Sequence, residues 1–204
     1  MKPARRTLVV ATGNAGKARE IAAALAGLPL RVVSLADLGI PADCEEIGRT
    51  FSQNARGKAV FYSARTGLPT LAEDSGLVVD ALEGAPGILS ARFSGPRADD
   101  ARNNRKLLRL MKDVPDERRD ARFICCMVLA CGGHPVKQVT GRVRGRILSQ
   151  ARGDGGFGYD PLFFYRRLGR TFAELGPEEK NAVSHRGRAI RAMAAFLAAH
   201  PGIL

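Results

Sequence analysis

Two carboxylates stand side by side at Glu73 and Asp74, followed by Ser75 and Gly76. Adjacent acids are poor material for a core. Taking an ionised carboxylate out of water is costly unless a cation, a metal or hydrogen-bond donors compensate. Read alone, the pair at the end of a strand fits either a polar turn or a functional acidic centre. Other stretches of the chain must decide between them.

The run Thr12, Gly13, Asn14, Ala15, Gly16, Lys17 lies between a strand pattern and a helix pattern. There, free backbone N–H groups and the helix dipole attract phosphate. Gly13 and Gly16 would let the backbone approach an anion, and Lys17 sets a positive charge at a helix start, where it opposes the dipole unless an anion is present. The alternative is a plain strand-to-helix turn with a solvated lysine. The run is not a P-loop, which would require glycine at Ala11 and serine or threonine at Ala18.

Residues 155–161 read Gly-Gly-Phe-Gly-Tyr-Asp-Pro. Glycines around Phe157 would let its ring lie against a flat base, and Asp160 would accept from ring N–H groups. A turn whose aromatics plug a core edge explains the same letters. Residues 180–188, KNAVSHRGR, gather Lys180, His185 and Arg186 into a donor cluster, or equally into a basic solvated helix start. Together these stretches specify phosphate binding, a carboxylate pair able to hold a divalent cation, and a base-sized recognition site. Hard cations with oxygen ligands, Mg²⁺ above all, accompany triphosphates.

The elements that must position these residues follow from periodicity. Residues 7–11 read as a buried strand, and from Lys17 the apolar positions Ile21, Leu25 and Leu28 share one helix face. A strand at 30–34, an irregular stretch at 35–49 and a helix at 50–65 come next. Asp99 caps a helix through Met111, with Leu107, Leu108 and Met111 as its apolar stripe. Residues 121–131 read as a central strand, and Gly132-Gly133 turns the chain into a second strand over 136–148. A strand at 161–165 and helices from Pro177, broken near Ser184, complete the chain. Early alternation of strands and helices with a hairpin in the middle specifies an α/β protein with a mixed sheet in one compact unit.

Composition narrows the class. The 204 residues suffice for a substantial core, and no apolar run reaches membrane-span length. Residues 1–6 lead directly into the first strand without a signal-type apolar segment, so a cytoplasmic location is expected. Cys44, Cys125, Cys126 and Cys131 form no CxxC pair and read as free thiols in a reducing compartment. The net charge of +12 suits a phosphate-bearing small substrate as well as a nucleic acid, so charge alone does not choose. Arg142, Arg144 and Arg146 alternate along a strand and read as its solvated face.

ATGNAGK, the run from Glu45 to Ala59, AEDSGLVVDALEGAPGILSARFSG, GGFGYDPLFF and EEKNAVSHRG together resemble the inosine triphosphate pyrophosphatase family, and most closely its bacterial dITP/XTP branch. The motifs stand in family order across residues 7–198. The resemblance implies an elongated mixed β-sheet flanked by helices, in two lobes with the active site in the cleft. It further implies a homodimer and Mg²⁺-dependent cleavage of purine nucleoside triphosphates to monophosphate and pyrophosphate. Carried over by motif, Thr12, Gly13, Asn14, Ala15, Gly16 and Lys17 bind the substrate, chiefly its phosphates. Glu45 and Asp74 hold Mg²⁺, Asp74 is also the proton acceptor, and Ser75 touches substrate. Phe157, Gly158, Tyr159, Asp160, Lys180, His185 and Arg186 complete phosphate and base recognition. Gln53 stands where a glutamate is expected before the asparagine, and Ile47 where threonine is common.

Overall fold

The computed structural model describes residues 6–97 and 99–204; the stretch 1–5 lies outside them. Among the described residues seven strands form one mixed sheet in the order β2-β1-β3-β4-β5-β6-β7. β1 (Arg6–Ala11) lies between β2 (Leu30–Ser34) and β3 (Thr70–Val79), parallel to both, with Val9 opposite Val33 and Thr70. Leu8 and Val9 are fully buried, as expected of a parallel strand covered on both faces. β4 (Asp120–Cys131) and β5 (His134–Ile147) are joined through Gly132 and Gly133, a connection short enough only for an antiparallel pair. β6 (Phe163–Tyr165) and β7 (Arg170–Thr171) extend the sheet antiparallel. β7 was not anticipated, being two residues of a polar turn region.

Among the described residues five α-helices accompany the sheet: α1 (Ala15–Leu25), α2 (Phe51–Thr66), α3 (Asp100–Leu110), α4 (Pro177–Val183) and α5 (His185–Ala199). Side-chain caps fix where three of them start. Asn14 accepts from the Lys17 amide, Thr50 from the Gln53 amide and Asp99 from the Arg102 amide. The Asn14 cap starts α1 two residues before the expected Lys17. Gly67, with φ of 67°, closes α2 in the left-handed region.

The chain divides into two compact units, and the division falls within β3, β4 and β5. The first takes the described residues through Asp74, with Cys125–Gly141 and Arg186–Leu204. Its core packs Leu8, Val10, Ile21, Leu71, Met127 and Ile190. The second comprises Ser75–Ile124 and Arg142–His185, with a core of Leu77, Leu107, Met111, Phe123, Phe163 and Phe172. β4 changes character at the division. It alternates between buried and half-buried positions up to Ile124, then runs buried from Cys125 through Ala130. On β5, Val143 and Ile147 are buried while Arg142 and Arg144 face solvent, as their alternation predicts. Among the described residues no helix is long and apolar enough to cross a membrane.

Candidate active site

β3 carries the acidic pair, and it is neither turn nor strand end. It runs unbroken through Glu73, Asp74, Ser75 and Gly76 to Val79. The pleat sends neighbouring side chains to opposite faces, so the two carboxylates occupy different surroundings. Glu73 is 1% exposed and Asp74 is 5% exposed.

Glu73 belongs to a cationic network. Its Oε1 lies 3.0 Å from Lys17 Nζ and 3.4 Å from Arg186, while Cys125 Sγ donates to its Oε2 at 3.3 Å. Burial alone would raise its pKa. Lys17 and Arg186 outweigh that and hold the carboxyl well below the usual range, so it stays ionised. Arg186 is itself fully buried and also donates to Glu20 at 2.6 Å. Burial, reinforced by Glu73, pushes the Cys125 thiol well up and keeps it a protonated donor.

Asp74 titrates in the opposite direction. Burial pushes its carboxyl up, against the opposing pull of the Lys58 ammonium 3.9 Å away and of Asn54, whose Nδ2 donates to Asp74 Oδ2 at 3.0 Å. Lys58 also bonds Glu46, and despite burial these carboxylates raise its pKa and keep it charged. Asn54 cannot turn its amide round, because its Oδ1 accepts from the Gly48 amide at 2.8 Å. A Cβ on Gly48 would fall 2.5 Å from that oxygen. Gly48→Ala is therefore expected to cost about 1–3 kcal/mol, read by urea denaturation; unchanged stability would show that Asn54 is free to move.

The phosphate-type run uses several polar atoms on itself. Thr12 Oγ1 accepts from the Asn14 amide at 3.1 Å, and Asn14 Oδ1 from the Lys17 amide at 3.0 Å. Gly13, Asn14 and Ala15 are exposed. Glu45 is exposed too, and its side chain makes no ion pair or hydrogen bond among the described residues. Gln53 Oε1 caps the Arg49 amide at 2.8 Å, a task suited to glutamine or glutamate alike, and Ile47 is 87% exposed. Among the described residues no three His, Cys, Asp or Glu side chains converge. The expected metal ligands Glu45 and Asp74 would offer carboxylate oxygens to a divalent cation, and Lys58 links Glu46 to Asp74 beside them. That donor set is all oxygen and fits Mg²⁺.

In the second unit the Phe157 loop is built around Asp160. Asp160 Oδ2 accepts from the Phe157 amide at 2.8 Å and from Lys180 Nζ at 2.7 Å, and Lys180 Nζ lies 4.4 Å from the Phe157 ring centroid. Gly156, at φ 74°, is required there because a Cβ would meet Asp160 Oδ2 at 2.2 Å. The Tyr159 hydroxyl donates to the Ser90 carbonyl at 2.8 Å. His185 stacks on Phe123 at 4.6 Å, with 10° between the rings. Ser75 is half-buried. The structure therefore joins Lys17 and Arg186 through Glu73 in one unit, and Phe157, Asp160 and Lys180 in the other.

Sequence reading missed Lys58, Asn54, Glu46 and Glu20 as partners of the acidic pair. The signal was present for two of them: Asn54 and Lys58 are one helical turn apart on α2 and so share a face.

The sequence pattern that defines the Ham1 family fits residues 8–196. The chain is 55% identical over 183 residues to a dITP/XTP pyrophosphatase of Geobacter sulfurreducens, covering 90% of this chain and 92% of that protein. It is 52% identical over 186 residues to the dITP/XTP pyrophosphatase of Salmonella paratyphi A, covering 90% and 94%. A HAM1 protein from Coxiella burnetii superposes with a TM-score of 0.86 at 39% identity, over 95% of this chain and 98% of that one. By sequence pattern, by close relatives and by fold, the chain belongs to the Ham1 family.

Proposed function

We propose that this protein hydrolyses the triphosphates of non-standard purines, ITP, dITP and XTP, to the nucleoside monophosphate and pyrophosphate. The observation that carries the reading is the division of two adjacent buried carboxylates: Glu73 is paired with Lys17 and Arg186, whereas Asp74 is held by Asn54 with Lys58 3.9 Å away. Environments that push the pKa values of neighbouring acids apart divide the labour between them. Glu73, held ionised by Lys17 and Arg186, anchors cations. Asp74, whose carboxyl burial pushes above the ordinary aspartate value, is the better placed of the two to accept a proton from water. The relatives named dITP/XTP pyrophosphatase supply the substrate class.

In this reading Thr12, Gly13, Asn14, Ala15, Gly16 and Lys17 bind the phosphates. Asp74 takes the proton as water attacks phosphorus and pyrophosphate leaves. Lys58 steadies the ionised form of Asp74, and Asn54 holds its orientation. Mg²⁺, held by Glu45 and Asp74, would supply neutralisation of phosphate charge. Phe157 offers a ring to the base, with Asp160 and Lys180 beside it, and Ser75 touches substrate. Donors of the His185-Arg186 pair meet the 6-oxo group of hypoxanthine or xanthine. Adenine carries an amino group at that position, which leaves those donors unpaired and costs orders of magnitude in rate. The reading includes a homodimer working in the cytoplasm, a compartment supported by four free cysteines. Its role would be to clear deaminated purines from the nucleotide pool.

Phosphorus NMR of an ITP digest tests the bond cleaved. Inosine monophosphate and pyrophosphate are expected; inosine diphosphate and orthophosphate would refute a pyrophosphatase.

A further inference from the structure

Helix α3 and its C-cap residue Met111 present an apolar stripe in which Leu107 and Met111 are fully buried and Leu108 is half-buried. Position 104, one turn before Leu107 and Leu108, continues that stripe, and an apolar side chain would pack there. Asn104 occupies it instead. Its Nδ2 donates to the Gly158 carbonyl at 2.9 Å, while its Oδ1 is buried with no hydrogen-bond partner among the described residues. An unsatisfied buried acceptor is a cost that calls for a reason. Turning the amide round offers no relief, because it would set Oδ1 against the Gly158 carbonyl oxygen.

A second contact from the same helix reaches the same residue. The Gly158 amide donates to Asp100 Oδ2 at 2.6 Å. Asp100 and Asn104 thus hold both backbone polar groups of Gly158, which sits at φ 64°, in the left-handed region. Gly158 lies between Phe157 and the segment through Asp160, whose carboxylate takes the Phe157 amide and Lys180. Fixing the peptide groups on both sides of Gly158 fixes the exit direction of the Phe157 ring.

We propose that Asp100 and Asn104 are positioning residues which clamp Gly158 from α3 and thereby set the specificity-determining pose of Phe157. This rests on the base-recognition reading of the Phe157 loop. Neither residue touches substrate; they act through the loop backbone. At position 104 a binding function has displaced a better-packing side chain.

Asn104→Leu separates this role from a structural one. It restores the apolar stripe and removes the orphaned oxygen, so the melting temperature is expected to hold or rise. Losing one loop hydrogen bond should raise KM for ITP about 5- to 10-fold, with kcat within about twofold since the reacting groups are untouched. Asn104→Asp, which sets a carboxylate against the Gly158 carbonyl, should raise KM further. Hydrogen exchange reads the clamp without turnover: the amide of Gly158 should exchange faster in Asn104→Leu and in Asp100→Ala than in the parent. A lowered melting temperature with kcat and KM falling together, or unchanged exchange at Gly158, would overturn the clamp. If the parent hydrolyses no ITP while Gly158 exchange still responds, the base-recognition reading fails and the clamp stands as a loop device. Accelerated exchange with an unchanged KM would overturn its role in specificity.

Discussion

Asp74→Asn is expected to lower kcat for ITP by about a thousandfold, the middle of the range that a positioned general base contributes. Asparagine keeps the shape and can still bond Asn54, but it cannot take a proton from water. The stability effect should run the other way. A carboxylate whose folded pKa is raised opposes folding when ionised, and at neutral pH Asp74 is ionised in the unfolded chain. Asparagine removes that cost. Lys58 loses one of its two carboxylates but keeps Glu46. The melting temperature should therefore stay level or rise while activity collapses, the trade expected at a strained catalytic position. Near-full turnover in the variant would remove Asp74 from the chemistry. A collapse of stability would show instead that its charge holds the fold.

Glu73→Gln should do the reverse, damaging the fold first. Glutamine leaves Lys17 and the fully buried Arg186 short of a negative partner, with Glu20 remaining for the arginine. Breaking a buried pair from one side costs about 3 kcal/mol. The pH dependence follows from the direction of the shift. Glu73 is held below the ordinary glutamate value of 4.5 in the folded protein, so its stabilisation is complete above that value. It is lost progressively as pH falls from there toward the depressed folded value. Urea denaturation in EDTA at pH 7 and at about pH 3.5 should show a large difference between parent and variant at the higher pH and a smaller one at the lower. A difference that did not change with pH would mean that the ionised carboxylate is not what the cations require.

The two variants also mark what could be read from the residues alone. Most helices and strands were legible because their signals are local: Asn14, Thr50 and Asp99 at starts, Gly67 at an end, and the three-and-four spacing of Ile21, Leu25 and Leu28. The continuity of β3 through Glu73 and Asp74 was not legible. Two acids interrupt an apolar strand pattern, and local propensity favours a break there. What overrides propensity is Lys17 from α1 and Arg186 from the far end of the chain, both brought to Glu73 only by the tertiary fold.

Lys17 shows the same limit from the other side. Its place at a helix start implied an anion, and the anion found is Glu73. Residue type announced the charge requirement, while its partner depended on topology. At Asp74 the acid itself was legible, and the one-turn spacing of Asn54 and Lys58 placed them on one face of α2, but only the tertiary fold brings that face to Asp74. Arg186 read as a ligand donor, but its bonds to Glu20 and Glu73, from α1 and β3, could not be read from the residues beside it.

A preference among bases is read from one series of rates. Pyrophosphate release should be followed with ITP, dITP, XTP, GTP, ATP and dTTP, each with Mg²⁺ and with EDTA. The kcat/KM for ITP, dITP and XTP is expected to lie at least about a hundredfold above that for ATP, the scale on which unpaired donors reject an analogue, with release lost in EDTA. Equal rates across purines and dTTP would make the protein a broad pyrophosphatase and refute selection by the base.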